Sequence, residues 1–224
     1  MDFSFLMMKR IDYWNKKSWF LGLFCLFISI SSWAQTNAVI LVLGDSLSAE
    51  YGLPRGSGWV SLLEQQLSKE RSPWLVFNAS ISGETTAGGL SQLPSLLNQK
   101  KPGIVMIELG ANDALRGLSL DESKNNLQKM IVMSKQSGAK VLLFGMQIPP
   151  NYGQKYTAQF KALYPALANK EKVALLPFFL DGVATKPELF QADRIHPNVQ
   201  AQSVLFKNVW GSMAPYHALL KTNP

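Results

Sequence analysis

The sequence predicts one doubly wound α/β domain, in which helices cover both faces of a parallel sheet. Three observations favour this fold class: short, nearly continuous apolar runs, amphipathic segments between them, and polar loops after several of the runs. At 224 residues the chain has the length of a single domain. Apolar residues make up 47% and charged residues 17%, a balance that excludes both a disordered chain and a soluble coiled coil.

Five segments have the length and the β-branched or aromatic content of buried strands. They span residues 38–43, 74–78, 104–109, 140–144 and 173–177. Amphipathic helices are predicted between them at residues 59–69, 121–136 and 158–172, the last with Pro165 in its interior. In the second of these helices Asp121 is the predicted start and Gly138 the predicted end. Strands that alternate with helices in this way form βαβ units.

Residues 1–34 have a different composition and predict a cleavable secretory signal peptide. Four basic residues precede an apolar stretch at residues 19–30, which is too short to span a bilayer, and small residues then occupy positions 32 and 34. An uncleaved anchor and a misassigned start codon are the alternatives. We expect cleavage after Ala34, a single domain over residues 35–224, and a periplasmic or secreted location.

Charge and cysteine content narrow the possible partners. Residues 35–224 carry 18 Lys and Arg against 13 Asp and Glu, and the charges are scattered. The positive balance could bring the chain into transient contact with anionic membrane surfaces, but scattered charges are more typical of an ordinary solvated surface. No stripe of basic and aromatic residues indicates nucleic acid. The single cysteine, Cys25, lies in the predicted signal peptide, so no disulfide is expected, and two histidines are too few for a structural zinc site.

Four polar loops carry the residues that are suited to chemistry. They span residues 44–48, 80–85, 110–113 and 193–198. The first three follow predicted strands. Because the carboxyl ends of the strands in a doubly wound sheet border one crevice, these loops are expected to meet there.

His196 is the candidate general base, since acid–base chemistry near neutral pH most often uses histidine. Asp193 precedes it by three residues, a spacing that lets the carboxylate hold one ring nitrogen and leave the other free. Pro197 favours the first position of a helix, so a helix-capping turn is an alternative interpretation of the same residues. The second histidine of this part, His217, lies near the tail, where we expect a surface or packing role.

Ser46 is the candidate nucleophile, because it follows a predicted strand and residues 35–224 contain no cysteine. Ser48 stands where the G-x-S-x-G nucleophile elbow needs its second glycine, so that motif is absent. Gly83 offers an unobstructed backbone N–H and Asn112 an amide donor, both suited to a developing oxyanion. The alternatives are a plain turn at Ser46, a tight turn at Gly83 and an Asx turn at Asn112.

These four blocks, in this order, resemble the SGNH (GDSL-type) hydrolase family. Five residues match the motif positions of that family: Ser46, Gly83, Asn112, Asp193 and His196. The strings NASISGET, ELGANDALRG, PPNYGQKY, LLPFF and IHPN extend the likeness over most of residues 38–209. They are similar to the multifunctional thioesterases and lysophospholipases of Gram-negative bacteria. Arg194 departs from the pattern, because the family often has glycine at that position.

The resemblance implies a flavodoxin-like three-layer α/β/α fold with a five-stranded doubly wound parallel sheet. It also implies a Ser-His-Asp acyl-enzyme mechanism, in which Ser46 attacks an acyl carbonyl, His196 takes its proton and Asp193 orients the imidazole. The backbone N–H groups of Ser46 and Gly83 and the side chain of Asn112 would then form the oxyanion hole. Neither a metal nor an organic cofactor is required by this mechanism.

The substrates implied are carboxylic esters and thioesters of acyl chains, with lysophospholipase, arylesterase and acyl thioesterase activities. An exported enzyme meets little acyl-CoA, so lysophospholipids, monoacyl esters and aryl esters are the expected natural substrates, and the enzyme is expected to be a monomer. An acyl chain bound at Ser46 would lie along the loops after the third and fourth strands. The residues expected to line this groove are Leu115, Leu118, Ile148, Pro149 and Tyr152.

Other functions remain as alternatives. A carbohydrate O-deacetylase of the same family would prefer acetyl esters, and a lipid-binding domain that has lost catalysis would hydrolyse none. A nucleotide-binding domain has little support, because neither G-x-G-x-x-G nor G-x-x-x-x-G-K-[ST] is present. Asp45 and Asp113 are expected to support their own turns by hydrogen bonds, and Glu84 and Glu108 receive no role.

Overall fold

The computed structural model describes residues 37–222, so the predicted signal peptide lies outside the described residues. Five strands form one all-parallel sheet in the order β2-β1-β3-β4-β5. The strands are β1 (Asn37–Gly44), β2 (Leu75–Asn78), β3 (Pro102–Glu108), β4 (Lys140–Phe144) and β5 (Ala174–Leu176). The α/β fold class predicted from the alternating pattern is confirmed.

Six α-helices connect and follow these strands. They are α1 (Trp59–Lys69), α2 (Thr86–Lys100), α3 (Ala111–Leu115), α4 (Leu120–Gln136), α5 (Gln154–Glu171) and α6 (Val199–Ser212). Helix α1 packs against α6, and α4 packs against both α2 and α5. The two groups cover opposite faces of the sheet, because the connection from β1 to β2 runs one way across it and the later crossovers run the other way.

The apolar core lies on both sides of the central strands. Every residue of β3 is buried, and the side chains of Ile40–Leu43 in β1 are fully buried between the two helical layers. Three aromatic rings pack together at the start of α1 with centroids 5.2–5.7 Å apart: Phe179 meets Trp59 and Phe144 edge to face, and Trp59 and Phe144 are tilted at 43°. The second strand differs from the sequence prediction of a buried strand. β2 is an edge strand, and its first residue, Leu75, is 70% exposed.

Three helices, α2, α3 and α6, were not predicted from the sequence, and others begin elsewhere than predicted. Helix α2 contains Pro94 and two glycines and therefore has poor helix propensity, but Gly89 packs so closely on Leu109 that a Cβ would lie 2.3 Å from a Leu109 methyl. Helix α4 begins at Leu120 rather than Asp121, because the Ser119 hydroxyl caps it by accepting from the Glu122 N–H. Helix α5 begins at Gln154, four residues before the predicted start.

The topology has a switch point between β1 and β3, where the chain turns from one direction across the sheet to the other. Ligands of doubly wound domains bind at this position, outside the carboxyl ends of the strands. Ser46 follows β1 and Asn112 follows β3, so the two flank this point. Within residues 37–222, no helix has the length and apolar character needed to cross a membrane.

Candidate active site

The structure brings Ser46, His196 and Asp193 into one hydrogen-bonded chain. The Nε2 atom of His196 lies 2.9 Å from Ser46 Oγ, and its Nδ1 atom lies 2.7 Å from Asp193 Oδ2. The serine and histidine are 150 residues apart in the sequence. This arrangement places a free imidazole nitrogen against the hydroxyl and a carboxylate against the other nitrogen, which is the geometry that nucleophilic catalysis by serine requires.

Asp193 also organises the turn that carries the histidine. Its Oδ1 atom accepts the backbone N–H groups of Ile195 and His196 at 2.9 and 3.0 Å, while Oδ2 faces the imidazole. These bonds, of which that from the His196 N–H is the strongest, lower the pKa of Asp193 to about 2. Arg194 adopts a left-handed conformation with φ of 58°. That conformation favours glycine, which accounts for the glycine common at this position in the resembling family.

The alternative interpretation of this turn, with Pro197 at the first position of a helix, does not hold. Pro197 pairs with Phe190 in an isolated antiparallel bridge, and α6 begins two residues later at Val199. Asn198 is the cap residue, because its side chain accepts the N–H groups of Gln200 and Ala201. The cap of α6 is therefore separate from Asp193, which holds the histidine turn.

Three hydrogen-bond donors at this end of the sheet remain unused. Among the described residues, no acceptor is bonded to the backbone N–H of Ser46 or of Gly83. The Asn112 amide donates one hydrogen to Asp45 Oδ2 at 2.9 Å and keeps its second hydrogen. Asn112 thus bonds to a side chain on another loop, in place of the Asx turn that was the alternative. Gly83 has φ of 79°, so the tight turn is present as well as the free N–H.

The loop that carries Gly83 is anchored on both sides. The Ile81 N–H donates to the carbonyl of Gly44 at 3.1 Å, which ties the start of the loop to the end of β1. At the other side, Asp113 accepts the N–H and the hydroxyl of Thr86 at 2.9 and 2.6 Å. Arg116 donates to the Gly83 carbonyl at 2.9 Å. Gly83 is therefore held beside Ser46 and Asn112 by bonds to both of their loops.

The Asp113 side chain supports neighbouring helices rather than its own turn, contrary to the prediction. Besides Thr86 at the start of α2, it accepts the Ser123 hydroxyl of α4 at 3.2 Å. It is 3% exposed, so these bonds satisfy a buried carboxylate that joins three helices. Asp45 does support its own turn, since its Oδ1 accepts the Leu47 N–H at 2.9 Å.

Glu108 is a residue that the sequence reasoning missed. It ends β3, is fully buried, and its Oε2 accepts the Asp45 N–H at 3.2 Å and the Ser48 hydroxyl at 2.7 Å. Burial raises the pKa of Glu108 well above its ordinary range, and the adjacent Asp45 raises it further. Burial also raises the pKa of Asp45, to about 6. A glutamate inside an otherwise apolar strand (IVMIEL) is the one sequence signal that could have drawn attention to this pair.

Tyr51 is the second residue that was missed. Its ring lies 4.4 Å from the His196 ring, centroid to centroid, at an angle of 40°, and it is 49% exposed. Gln191 fixes the contact by donating to the Tyr51 carbonyl at 2.8 Å and to the Pro197 carbonyl at 3.2 Å. No local pattern predicts this contact, because it depends on where two distant loops meet.

The predicted groove residues lie on neighbouring loops but differ in exposure. Leu118 and Tyr152 are 44% and 40% exposed, and Pro149 is also exposed. Leu115 is half-buried, and Ile148 is buried in the apolar core. The hydroxyl of Tyr156 donates to the Leu118 carbonyl at 3.1 Å, which ties the loop after β3 to α5.

A separate cleft of about 610 Å³ opens beside these loops. It lies between the start of α4 and α5, and Leu118 and Tyr156 are on its rim. Neither Ser46 nor His196 lines it. This cleft is therefore separate from the hydrogen-bonded chain.

Comparison with known proteins identifies the family. Residues 42–204 match the model of the GDSL-like lipase/acylhydrolase family. The chain is 47% identical to esterase TesA of Pseudomonas aeruginosa over 191 residues, 85% of this chain and 95% of that protein. It is 41% identical over 179 residues to thioesterase 1/protease 1/lysophospholipase L1 of Escherichia coli K12, 80% of this chain and 85% of the relative.

A solved structure agrees with these relatives. The crystal structure of TesA matches with a TM-score of 0.77 and 50% sequence identity, over 79% of this chain and 98% of that one. The chain belongs to the GDSL-like lipase/acylhydrolase family and is a carboxylic ester hydrolase. The family resemblance and the enzyme class predicted from the four blocks are confirmed.

Proposed function

We propose that this enzyme hydrolyses medium-chain acyl esters and lysophospholipids through an acyl-enzyme formed on Ser46. The observation that carries the proposal is the chain of short hydrogen bonds from Ser46 Oγ through the imidazole of His196 to Asp193. A serine hydroxyl is a weak nucleophile by itself, and a base at 2.9 Å allows the proton to leave as the bond to carbon forms.

In the first half-reaction, Ser46 Oγ attacks the acyl carbonyl carbon and its proton passes to His196 Nε2. The carbonyl oxygen becomes an oxyanion, which the N–H groups of Ser46 and Gly83 and the second amide hydrogen of Asn112 stabilise. Asp193 stabilises the imidazolium and holds its orientation. His196 then protonates the leaving alcohol or thiol, and the acyl group stays on the serine.

The second half-reaction reverses these roles with water. His196 takes a proton from a water molecule, the resulting nucleophile attacks the acyl carbon, and the same donors hold the second oxyanion. The bond from carbon to Ser46 Oγ breaks as the proton returns from the imidazole. The products are the free acid and the regenerated enzyme, so no external reactant other than water is consumed.

The proposed substrate class is supported by the exposed apolar side chains on the loops after β3 and β4. Leu118, Pro149 and Tyr152 are exposed apolar side chains on the loops after β3, the neighbour of β1 that leads to Asn112, and after β4, the next strand. Each buried methylene contributes about 0.8 kcal/mol, so four extra carbons could raise kcat/KM by roughly two orders of magnitude. The E. coli relative is named for thioesterase and lysophospholipase activities. We propose the same classes here.

We also propose that the enzyme is exported and acts as a monomer in the periplasm or the medium, touching membranes only transiently. The support is the pattern of residues 1–34, where a basic segment, a short apolar segment and small residues at 32 and 34 follow one another. Expression of the full chain in a Gram-negative host, followed by N-terminal sequencing of the exported protein, tests this. A first residue other than Gln35 would contradict cleavage after Ala34.

The test of the activity is a hydrolysis panel of p-nitrophenyl esters from acetyl to palmitoyl, beside lysophosphatidylcholine and an acyl-CoA. Medium-chain esters and lysophosphatidylcholine should be hydrolysed fastest. Ser46→Ala should lower kcat by roughly 10⁴–10⁶, because only binding and the oxyanion donors remain. Ser95→Ala on α2, a matched change away from the strand ends, should leave kcat unaltered.

A fluorophosphonate probe complements the panel, and it should label Ser46 alone. An enzyme fastest on acetyl esters would favour the carbohydrate O-deacetylase instead. Near-normal activity of Ser46→Ala, or labelling at a different serine, would overturn the proposed mechanism. No hydrolysis of any ester would leave only the lipid-binding alternative.

A further inference from the structure

A pair of buried carboxyl groups stands directly behind the candidate oxyanion hole, and the mechanism above gives it no role. Asp45 and Glu108 are 1% and 0% exposed. The Asp45 N–H donates to Glu108 Oε2 at 3.2 Å, and the Asp45 carboxyl group lies close enough to raise the pKa of Glu108. Gly44 leaves the space they need, since a Cβ there would lie 2.7 Å from Glu108 Oε2. Burying two acids this close together lowers the stability of the folded protein unless hydrogen bonds compensate the lost hydration.

The hydrogen bonds show which of the two acids carries a proton. Glu108 Oε2 accepts two donors, whereas Oε1 is buried and receives no N–H or O–H donor among the described residues. An oxygen without a donor suits the protonated oxygen of a neutral acid. Both oxygens of Asp45 accept donors, from Leu47 and from Asn112, as expected of a carboxylate.

The surrounding charges agree with one shared negative charge. Asp45 faces the imidazole of His196, which favours its ionised form, and the carboxylate of Asp113, which opposes it. Tyr164, whose hydroxyl donates to the Leu109 carbonyl at 3.0 Å, is the other titratable group close to the pair. Two carboxylates in contact in a buried site cannot both ionise readily, so one proton stays with the pair.

We infer that Asp45, held by its hydrogen bond to Glu108, is a positioning residue that fixes the amide orientation of Asn112. A side-chain amide can be turned by 180° at little cost, which exchanges its oxygen and its NH₂ group. The carboxylate of Asp45 accepts only, so it holds the NH₂ group of Asn112 on its own side. The second hydrogen of that group is then presented to the oxyanion, where an oxygen in its place would repel the developing charge.

This inference rests on the proposed role of Asn112 as an oxyanion donor. The carboxylate offers acceptors to both the Leu47 N–H and the Asn112 amide, whereas an amide at position 45 offers one oxygen and one NH₂ group. Asp45→Asn should therefore allow Asn112 to turn its oxygen towards the substrate. We expect kcat to fall by about 10²-fold with KM within about twofold, because the lost bond forms only with the developing charge.

A double-mutant cycle separates positioning from a general structural role. Asn112→Ala alone should lower kcat by about 10²–10³. In that background Asp45→Asn should change kcat by no more than about threefold, since the group that it positions is gone. Asp181→Asn, a matched substitution of an exposed aspartate after β5, should leave kcat unchanged in both backgrounds. Rates are normalised to fluorophosphonate-titrated sites, so a poorly folded fraction does not affect kcat.

The outcomes separate this inference from the proposed function. If Asn112→Ala has no effect on kcat, the proposed oxyanion role of Asn112 fails, and the inference fails with it. If Asn112→Ala lowers kcat but Asp45→Asn does not, or if the two losses multiply, the positioning role of Asp45 is wrong while the mechanism stands.

Infrared spectroscopy of the purified enzyme tests the protonated partner directly. At about pH 8, above the range where ordinary carboxyl groups titrate, the wild type should show the carbonyl band of a neutral carboxylic acid. Glu108→Gln should lack that band yet keep kcat within about fivefold, since its amide oxygen can accept the Asp45 N–H and the Ser48 hydroxyl as the acid does. Absence of the band from the wild type would overturn the proton assignment, and so would its persistence in Glu108→Gln.

Discussion

Replacing Asp193 by asparagine is expected to be more damaging than removing its side chain. In the native turn Oδ1 accepts two backbone N–H groups and Oδ2 faces His196 Nδ1 at 2.7 Å. With Asp193→Asn, the amide oxygen keeps the two backbone bonds, so the NH₂ group must face the imidazole. The ring then has to accept at Nδ1 and carry its proton on Nε2, where it points at Ser46 and cannot act as a base.

The size of the effect can be worked from these contacts. Turning the amide to restore the right tautomer forfeits two hydrogen bonds of about 0.5–1.5 kcal/mol each, or about 1–3 kcal/mol. The substitution also removes the negative charge that faces the imidazolium. At a separation of 2.7 Å this loses about 1.5–6 kcal/mol of Coulombic stabilisation, for effective dielectric constants of about 80 to 20. Asp193 is 37% exposed, which favours the weaker half of that range. At about 1.4 kcal/mol per tenfold, Asp193→Asn should lower kcat by roughly 10²–10⁴.

Asp193→Ala loses the charge but imposes no wrong tautomer, because water can accept from Nδ1. We expect its kcat to lie about 10-fold above that of Asp193→Asn. The assay is p-nitrophenyl ester hydrolysis normalised to titrated active sites, with nitrogen-15 NMR of the imidazole to identify the tautomer. Asp193→Asn with wild-type kcat, or with its proton still on Nδ1, would refute the reasoning, and so would an alanine variant slower than the asparagine one.

Three further predictions concern the base, the groove and the buried acid. His196→Ala should lower kcat as severely as loss of the serine, whereas His217→Ala should be nearly silent in the same assay, because that ring stacks on a tryptophan 4.4 Å away. Leu118→Asp should flatten the chain-length preference while acetyl ester hydrolysis persists; an unchanged preference would exclude this side chain from the groove. The raised pKa of Glu108 means that folding takes up a proton above the pKa of the unfolded chain. Wild-type stability should therefore fall relative to Glu108→Gln in urea unfolding as the pH rises above the ordinary pKa of glutamate, and parallel profiles would contradict this.

Local patterns were sufficient for the elements whose residues have one clear environment. Strand β4 has the predicted bounds and so has α1, since an apolar run and an apolar stripe leave one way to bury each. The predicted strands also placed the polar loops that follow them at one end of the sheet, because parallel strands have their carboxyl ends on the same side. It failed for α2, because Pro94 and two glycines argue against a helix until the packing of Gly89 on Leu109 is known.

The candidate active site also combines features that the sequence predicts with features that only the structure shows. The sequence by itself determined the residue types at the site and their grouping into four blocks, because each block is a short local motif. Only the tertiary structure decided what those groups touch: Asp45 meets Glu108 across 63 residues, Tyr51 covers His196, and Ile148 turns into the core instead of the groove. Contacts between distant loops depend on how the sheet and helices pack, and a pattern of neighbouring letters carries no information about that packing.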